Sequence, residues 1–354
     1  MHDSRTISWD VSAQSLPDAF DRYLVGMADL YQVSGVSDHD RLNFYNETRT
    51  TLSASGAVGF GRSVRQTLSR GPATLRRSDI DGLNMLINRR AVVGDCDGRS
   101  VRAAPGALQF RDMSRPSASR LDAVDVTTLL VPRHLVPPVL LRADAHGLVL
   151  PPEAPGVRLI NTHMSALAEL AEDLTEVELE TGVQALLLVA ARVAGARVEI
   201  DGPELEALQG VVRRAAADYI ERRVQTRELP ITIAAVARAS GASRATLYRA
   251  FDGEGGVNRY IQERRLHHAR SALCRRREAS PTITEISHQY GFASPNHFSR
   301  LFRARYDYPP SEVGAREAPS DISMSTGPIR HDILGNWLKD LGLGGGGAEQ
   351  RQQG

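Results

Sequence analysis

The sequence predicts an α+β fold in which a β-rich front half precedes an all-α back half. From residue 81 to 131, short apolar runs are separated by turn clusters, the pattern of strands. From residue 165 to 194, Leu, Val and Ala recur in stripes with Glu between them, which is typical of amphipathic helices. Near the C-terminus, one helical pattern occurs twice. At 354 residues the chain is long enough for two domains, each with its own core.

The β-rich segment contains the runs LNMLI, AVV, ALQF and VTTLLV. Turn signals lie between them at GDCDG (94–98) and at Pro105-Gly106, so we expect Asp95, Cys96 and Asp97 to lie in a turn. The helical segment that follows is predicted to form two helices that join near Thr181-Gly182.

The repeated pattern covers residues 231–251 and 282–302. Each copy has a short apolar-patterned helix, a glycine (Gly241 or Gly291) and a second helix opened by Ser243 or Ser294. A glycine that can take positive φ in a tight turn, with apolar residues that pin the second helix, is what a helix-turn-helix needs. A single such match is weak evidence because helical hairpins are common, but the duplication strengthens it.

The second helix of each copy is then free to enter a DNA major groove. Polar side chains that lie off its buried stripe suit base edges and phosphates. The predicted DNA-binding residues are Ser243, Arg244, Tyr248, Arg249, Ser294, Asn296, His297, Ser299, Arg300 and Arg303.

Between the two copies, VNRYIQERRLHHARSAL carries an apolar stripe at helical spacing. A helix of roughly 18 residues is about 27 Å long. It could therefore hold the two second helices roughly one DNA turn, about 34 Å, apart. One polypeptide would then contact two successive major grooves of double-stranded DNA.

These motifs make the segment from Leu205 to Val313 resemble the C-terminal domain of AraC/XylS-family transcription regulators. The second unit carries the family signature as Glu285-Ile286, Gly291-Phe292, Phe298-Ser299-Arg300 and Pro310-Ser311. The sequence departs from the family pattern at Asp307, where Gly is usual, at Ser287, where Ala is usual, and at Val313-Gly314, in place of an aromatic-Arg ending.

The front half is similar to the cupin-like sensor domain of XylS-type members, through the Pro105-Gly106 turn, ALQFRD and the strand that ends in VPRHLV. The resemblance implies a β-barrel that binds a small-molecule effector and a helix pair that joins two subunits. Arg89, Arg111 and Arg133 are candidate contacts for an organic acid. Taken alone, each of them is more readily explained as a surface or structural arginine, and the apolar residues of the helix pair are also compatible with simple core packing.

We therefore expect a sensor and dimerisation domain over residues 1–195, a linker over 196–204, a DNA-binding domain over 205–316 and a partly flexible tail over 317–354. Residues 231–316 contain 14 Arg and seven Asp or Glu, a net charge of +7 in a chain whose total is +1. Such a patch attracts DNA phosphates. The tail sequence HDILGNWLKDLGL is predicted to form a short helix that docks on its own chain.

The function implied is a cytoplasmic, dimeric, effector-controlled transcription regulator, with activation favoured by the resemblance and RNA polymerase as a further partner. One alternative is a constitutive DNA-binding regulator whose front domain only dimerises. The other is a cupin-type metalloenzyme, but the ten histidines are scattered and no metal-ligand, catalytic-triad or phosphate-loop spacing occurs, so we expect no catalytic residue, metal or cofactor. No apolar window predicts a membrane span or a signal peptide.

Overall fold

The computed structural model describes residues 6–78, 80–195, 203–275 and 281–313. These residues fall into two compact units, one built mainly from residues 6–195 and the other mainly from residues 203–313. The first unit is rich in sheet and the second is helical, which confirms the predicted α+β class. The predicted tail helix lies outside the described residues. No helix among the described residues is both long and apolar enough to cross a membrane.

The first unit contains two antiparallel sheets. Their strands are β1 (Thr6–Ser12), β2 (Gln32–Ser34), β3 (Tyr45–Ser53), β4 (Gly56–Ser63), β5 (Gln66–Arg70), β6 (Gly82–Asn88), β7 (Val92–Cys96), β8 (Arg99–Ala103), β9 (Leu108–Asp112), β10 (Ser117–Leu121), β11 (Val124–Pro132) and β12 (Val149–Leu150). The larger sheet has the order β1-β3-β4-β11-β6-β9-β12, and the smaller has the order β2-β5-β10-β7-β8. Both sheets contribute residues to one internal cavity, which gives the barrel-like arrangement expected.

The sheets begin much earlier than the apolar runs indicated, since β1 to β5 all precede residue 81. Strand β3 shows why, because its sequence YNETRTTLS is rich in Thr and polar residues. Threonine favours strands, but a strand whose polar side chains face a cavity lacks the apolar alternation by which a half-buried strand is recognised.

The turn expected at residues 95–97 is shorter than predicted. Asp95 and Cys96 belong to β7, and Cys96 pairs with Arg99 across a two-residue loop. Asp97 and Gly98 form that loop, with φ of 54° and 80°. An Asp-Gly pair with positive φ at both positions is a favoured hairpin connection.

The helices of the first half of the chain are α1 (Ala19–Met27), α2 (Asp38–Leu42), α3 (Pro72–Arg77), α4 (Pro155–Leu170) and α5 (Glu176–Val193). Those of the second half are α6 (Pro203–Gln225), α7 (Ile233–Ala239), α8 (Arg244–Ala250), α9 (Val257–Cys274), α10 (Ile283–Gln289) and α11 (Pro295–Tyr306).

The predicted junction of the helix pair at Thr181-Gly182 is wrong. The pair is α4 and α5, and α5 begins after Thr175, whose side chain forms a capping box with Glu178. Gly182 lies inside α5, where a Cβ atom would come within 2.7 Å of Leu167 Cδ2 on α4. The glycine therefore marks a close approach of two helices and not a break between them.

The core of the first unit lies between the larger sheet and the helix pair. Leu83 and Met85 of β6 and Phe110 of β9 are buried there with Ile160 and Met164 of α4. The other face of the same strands lines the cavity, because successive side chains of a strand point to opposite faces. This sheet is thus covered by helices on one side and faces the cavity on the other.

A separate core holds the second unit together. Leu247 and Phe251, from α8 and its C-terminal end, are buried together with Phe298 and Phe302 of α11 and with apolar residues of α9. The apolar stripe predicted for the connecting helix is buried as expected, and α9 spans 18 residues as the spacing indicated.

Candidate DNA-binding interface and internal cavity

The first helix-turn-helix unit consists of α7 and α8. Thr232 caps α7 by accepting a hydrogen bond from the Ala235 N–H, and Ser243 caps α8 by accepting one from the Thr246 N–H at 3.1 Å. Gly241 lies in the turn with φ of 64°. The glycine thus takes the left-handed conformation that the sequence pattern required.

The second helix-turn-helix unit consists of α10 and α11 and repeats this construction. Thr282 and Glu285 form a capping box at the start of α10, and Gly291 has φ of 71°. Ser294 caps α11 through a 3.2 Å hydrogen bond from the His297 N–H, with Pro295 at the first helical position.

Helix α11 ends at Tyr306, and the residue that follows it, Asp307, has a φ of 64°. Asp307 therefore takes the left-handed conformation expected of the usual Gly, which Asp tolerates better than most residues. Ser287, a second departure, is fully buried, and its hydroxyl donates to the Thr284 carbonyl at 2.8 Å. Val313 packs against the core, and Gly314 lies outside the described residues.

Most of the predicted DNA-binding side chains are accessible in this structure. Ser243, Arg244, Tyr248 and Arg249 of the first helix-turn-helix unit are exposed. In the second, Asn296, Arg300 and Arg303 are exposed, whereas Ser294, His297 and Ser299 are half-buried. The hydroxyl groups of the two capping serines already accept hydrogen bonds from the backbone N–H groups of Thr246 and His297.

The arginines of the second compact unit differ in whether they are accessible to DNA. Arg264 and Arg270 of α9 are buried, so they belong to the core and cannot neutralise phosphate, although both were included in the net charge of +7. Conversely, Arg238 at the end of α7 is exposed and was not among the predicted contacts. Arg238 lies in the last turn of α7, directly before the turn at Gly241, so its exposure could have been predicted from the sequence.

The buried arginines of α9 have identifiable partners. Arg264 donates to both carboxylate oxygens of Glu221 at 2.7 and 3.0 Å, and His268 Nε2 lies 2.6 Å from Glu221 Oε1. Burial by itself would raise the pKa of Glu221, but Arg264 and His268 hold it well below its usual range. Arg270 donates to the Tyr308 hydroxyl at 2.8 Å. This Glu221–Arg264–His268 cluster ties α6 to α9 and so supports the helix that connects the two helix-turn-helix units.

The cavity of the first compact unit has a volume of about 190 Å³. Its walls are mostly apolar or aromatic side chains from both sheets and from α1, among them Trp9, Tyr23, Phe60, Leu86 and Leu130. A polar corner is formed by neighbouring residues of β6 and β9, since Asn84 pairs with Arg111 and Leu86 with Gln109 in the sheet.

Arg111 is the one predicted effector contact of the three that lines this cavity. It is 2% exposed. Its Nη1 donates to the Phe110 carbonyl at 3.1 Å and its Nη2 to Gln109 Oε1 at 2.9 Å. Gln109, Asn84 and Trp9 were missed by the sequence interpretation, although the alternation of Gln109 and Arg111 with Leu108 and Phe110 marks a polar face on β9.

Arg89 and Arg133 lie away from the cavity. Arg89 is exposed, with its Nε 3.3 Å from Asp125 Oδ1. The Arg133 side chain is 12% exposed and pairs with both Asp81 and Asp112. Because both carboxylates already surround it, Arg133 is a structural arginine at the end of β11.

Within the described residues, no group of three or more His, Cys, Asp or Glu side chains is placed to hold a metal ion. Cys96 and Cys274 are both buried, and neither forms a disulfide in the described structure. His146 is engaged by the backbone, since its Nδ1 accepts a hydrogen bond from the Asp112 N–H at 3.0 Å.

Two capped helix-turn-helix units with exposed basic second helices, joined by one long helix, define a bipartite DNA-binding module. Residues 236–316 match the family model described as a helix-turn-helix domain. The C-terminal unit of this chain is an AraC-type helix-turn-helix domain, as the sequence resemblance predicted, and through it the chain is homologous to AraC-family transcription regulators.

Similar proteins include the probable thc operon regulatory protein of Rhodococcus erythropolis, which is 35% identical over 108 residues, or 30% of this chain and 31% of that protein. The HTH-type transcriptional activator RhaS of Escherichia coli O139:H28 is 40% identical over 81 residues, or 22% of this chain and 28% of that protein. The chain thus spans less than a third of the length of these relatives. They are transcription regulators and not enzymes.

Two solved structures extend over both halves of the chain. The AraC-like transcriptional activator CuxR is 22% identical, and the match covers 74% of this chain and 94% of that one with a TM-score of 0.49. Unsaturated fatty acid bound ToxT from Vibrio cholerae strain SCE256 is 13% identical, with coverage of 74% and 95% and a TM-score of 0.35. Both TM-scores are too low to carry an inference about this chain.

Proposed function

We propose that this chain is a sequence-specific DNA-binding transcription regulator, acting as an activator and controlled by a small molecule that binds in the cavity of its first compact unit. The observation that carries the proposal is the pair of exposed second helices, α8 and α11, each pinned to a common core and capped by a serine. Arg249 and Arg300 are exposed on these helices, so they are available to phosphates and base edges. DNA as the target makes the cytoplasm the proposed compartment.

Activation is proposed from the relatives, since RhaS is named as a transcriptional activator. It would add RNA polymerase to the partners. Effector control is supported by the cavity, because a domain that served only for dimerisation would have no need of an internal space lined with polar groups. The constitutive alternative is therefore less well supported than effector control.

A homodimer is proposed from the helix pair. Leu159 and Leu170 of α4 are exposed, as are Val177 and Leu188 of α5. Each pair is 11 positions apart, close to three full helical turns. Each helix therefore carries an exposed apolar stripe, the kind of surface that marks a protein interface.

The test is selection of duplexes from a randomised DNA pool by the purified full chain at two salt concentrations, followed by sequencing. We expect a bipartite motif whose half-elements are about one helical turn apart, and retention that falls steeply with salt. The matched control is the double variant Arg249→Ala/Arg300→Ala, which keeps both helix caps and the core.

Retention without any motif, or the same motif and affinity for the double variant, would contradict the proposal. The first result would indicate non-specific attraction by basic charge. The second would place DNA contact on another surface.

A further inference from the structure

We propose that the cavity of the first compact unit binds a monocarboxylate with a compact, ring-containing apolar body, and that Arg111 and Gln109 hold the carboxylate. The proposal deepens the effector control proposed above and rests on it only for its regulatory meaning. Binding of the acid itself can be tested without DNA.

Two hydrogen-bond donors in the polar corner lack a partner in the described structure. Arg111 Nε and Gln109 Nε2 are both buried and make no hydrogen bond. The two residues are two positions apart on β9 and both line the cavity. Leaving a buried donor unsatisfied costs about 1–3 kcal/mol, and more for a charged group. A carboxylate supplies two acceptor oxygens for two adjacent donors.

The charge of Arg111 also lacks a counter-charge. No Asp or Glu is among the described residues that line the cavity. Burial raises the pKa of the nearby Cys96 thiol and of the Tyr23 hydroxyl, the latter to about 12, so neither is an anion near neutral pH. A buried cation is costly unless it is paired. An anionic ligand would provide the pair, in contrast to Arg133, which already has two carboxylates.

The rest of the cavity specifies the body of the ligand. Outside the polar corner most of the wall is aliphatic or aromatic, with Trp9, Phe60, Leu68, Val126 and Leu130 among its residues, and the remainder is uncharged and polar, such as Thr48 and Thr50. An apolar cavity of about 150 Å³ holds benzene. A cavity of about 190 Å³ with a polar corner therefore suits a single ring joined to one carboxylate by a short link.

The experiment is calorimetric titration of the full chain with phenylacetate, the neutral isostere phenylacetamide, and acetate. Trp9 lines the cavity, and Trp337, the other tryptophan, lies outside the described residues. In a Trp337→Phe background, the fluorescence of Trp9 therefore reports whether the acid enters the cavity. We expect phenylacetate to bind about 10- to 100-fold more tightly than the amide, as charge-assisted hydrogen bonds imply.

Arg111→Gln should remove this preference for the acid over the amide, whereas Arg89→Gln, on an exposed arginine outside the cavity, should leave it unchanged. If Arg111→Gln does not fold, Gln109→Leu removes the second donor and should lower affinity for the acid alone. Leu68→Phe, on β5 of the smaller sheet, fills part of the apolar region away from Gln109 and Arg111 and should weaken phenylacetate more than acetate.

The proposal is overturned if phenylacetate fails to bind at millimolar concentration, if acid and amide bind equally, if acetate binds as tightly as phenylacetate, or if the acid binds without changing Trp9 fluorescence. These results are separate from the DNA selection. A chain that selects a bipartite motif but binds no acid would retain its proposed regulatory function and lose only this ligand class.

Discussion

Arg249 and Arg300 occupy matching positions, each six residues after the serine that caps its helix. Both are exposed. We expect Arg300→Ala to weaken binding to the selected site by about 1–3 kcal/mol if the guanidinium reaches a base, and to relax specificity there. If it contacts phosphate, affinity should fall uniformly and the salt dependence should become shallower. Fluorescence anisotropy on matched and mutated duplexes at several salt concentrations distinguishes the two.

The control for this substitution is Arg259→Ala. Arg259 is also exposed but lies on α9, where its Nε is 3.0 Å from Glu263 Oε1. Unchanged affinity for Arg300→Ala, or an equal loss for Arg259→Ala, would remove α11 from the DNA-binding interface.

Asp307 tests the left-handed turn at the end of α11. Because a branched side chain is strained at its φ of 64°, we expect Asp307→Val to lower the free energy of unfolding of the second compact unit by about 1–2 kcal/mol. Asp307→Gly should not lower it, since glycine reaches this conformation freely. Denaturant unfolding of the two variants measures the difference, and equal destabilisation by both would show that the side chain, not the backbone conformation, matters.

Gly182 allows α5 to pack closely against α4. In Gly182→Val, the branched side chain meets Leu167, because even a Cβ atom would lie 2.7 Å from its Cδ2. Overpacking of this kind costs about 1–3 kcal/mol. We expect thermal unfolding to show that loss, and we expect Leu167→Ala to cost less in the Gly182→Val background than in the parent. Strict additivity of the two substitutions would mean that they do not share this contact.

The Glu221–Arg264–His268 cluster couples the second compact unit to pH. The pKa of Glu221 is lowered well below its ordinary value of 4.5, so its stabilising contribution is fully present above pH 4.5 and is lost as pH falls from there through the lowered pKa. Glu221→Gln leaves Arg264 buried without its carboxylate and should cost about 3–5 kcal/mol at pH 7. The cost should shrink in acid.

Urea unfolding at pH 7 and at several values below pH 4.5 measures this difference. Glu263→Gln is the control, since Glu263 forms an i,i+4 pair with Arg259 at the helix surface, where such pairs contribute about 0.3–0.5 kcal/mol. A cost for Glu221→Gln that stays constant from pH 7 into acid would contradict the assignment of a charged carboxylate in the folded state.

The exposed apolar residues of α4 and α5 are the basis for the proposed homodimer. Leu188 of α5 is 70% exposed and Leu42 of α2 is 76% exposed. We expect Leu188→Glu to shift the chain from dimer to monomer, because a charge in an apolar interface is costly, and Leu42→Glu to leave the assembly unchanged. Light scattering after size exclusion measures the mass, and a dimer that survives Leu188→Glu would place the interface elsewhere.

The two capped helices and the turns before them could be predicted because the signals are local; that their exposed side chains bind DNA stays a prediction. Ser243, Gly241 and Leu247 lie within seven residues, and caps, a positive-φ turn and helical spacing act over that range. The cavity residues could not be predicted in the same way. Arg89, Arg111 and Arg133 carry the same chemistry in the sequence, and only Arg111 lines the cavity.

The sequence by itself therefore determined the class of fold, the double helix-turn-helix and its exposed basic helices, since each depends on contacts between residues close along the chain. Only the tertiary structure showed that the polar face of β9, with Gln109 and Arg111, turns toward the cavity. Only the tertiary structure explained Gly182 inside α5, where it lies against Leu167 of α4. Those outcomes depend on pairing between distant segments, such as Asn84 with Arg111 and Leu167 with Gly182. Alternation of polar and apolar residues distinguishes the two faces of a strand. Only the packing of helices against one face shows that the other face lines a cavity.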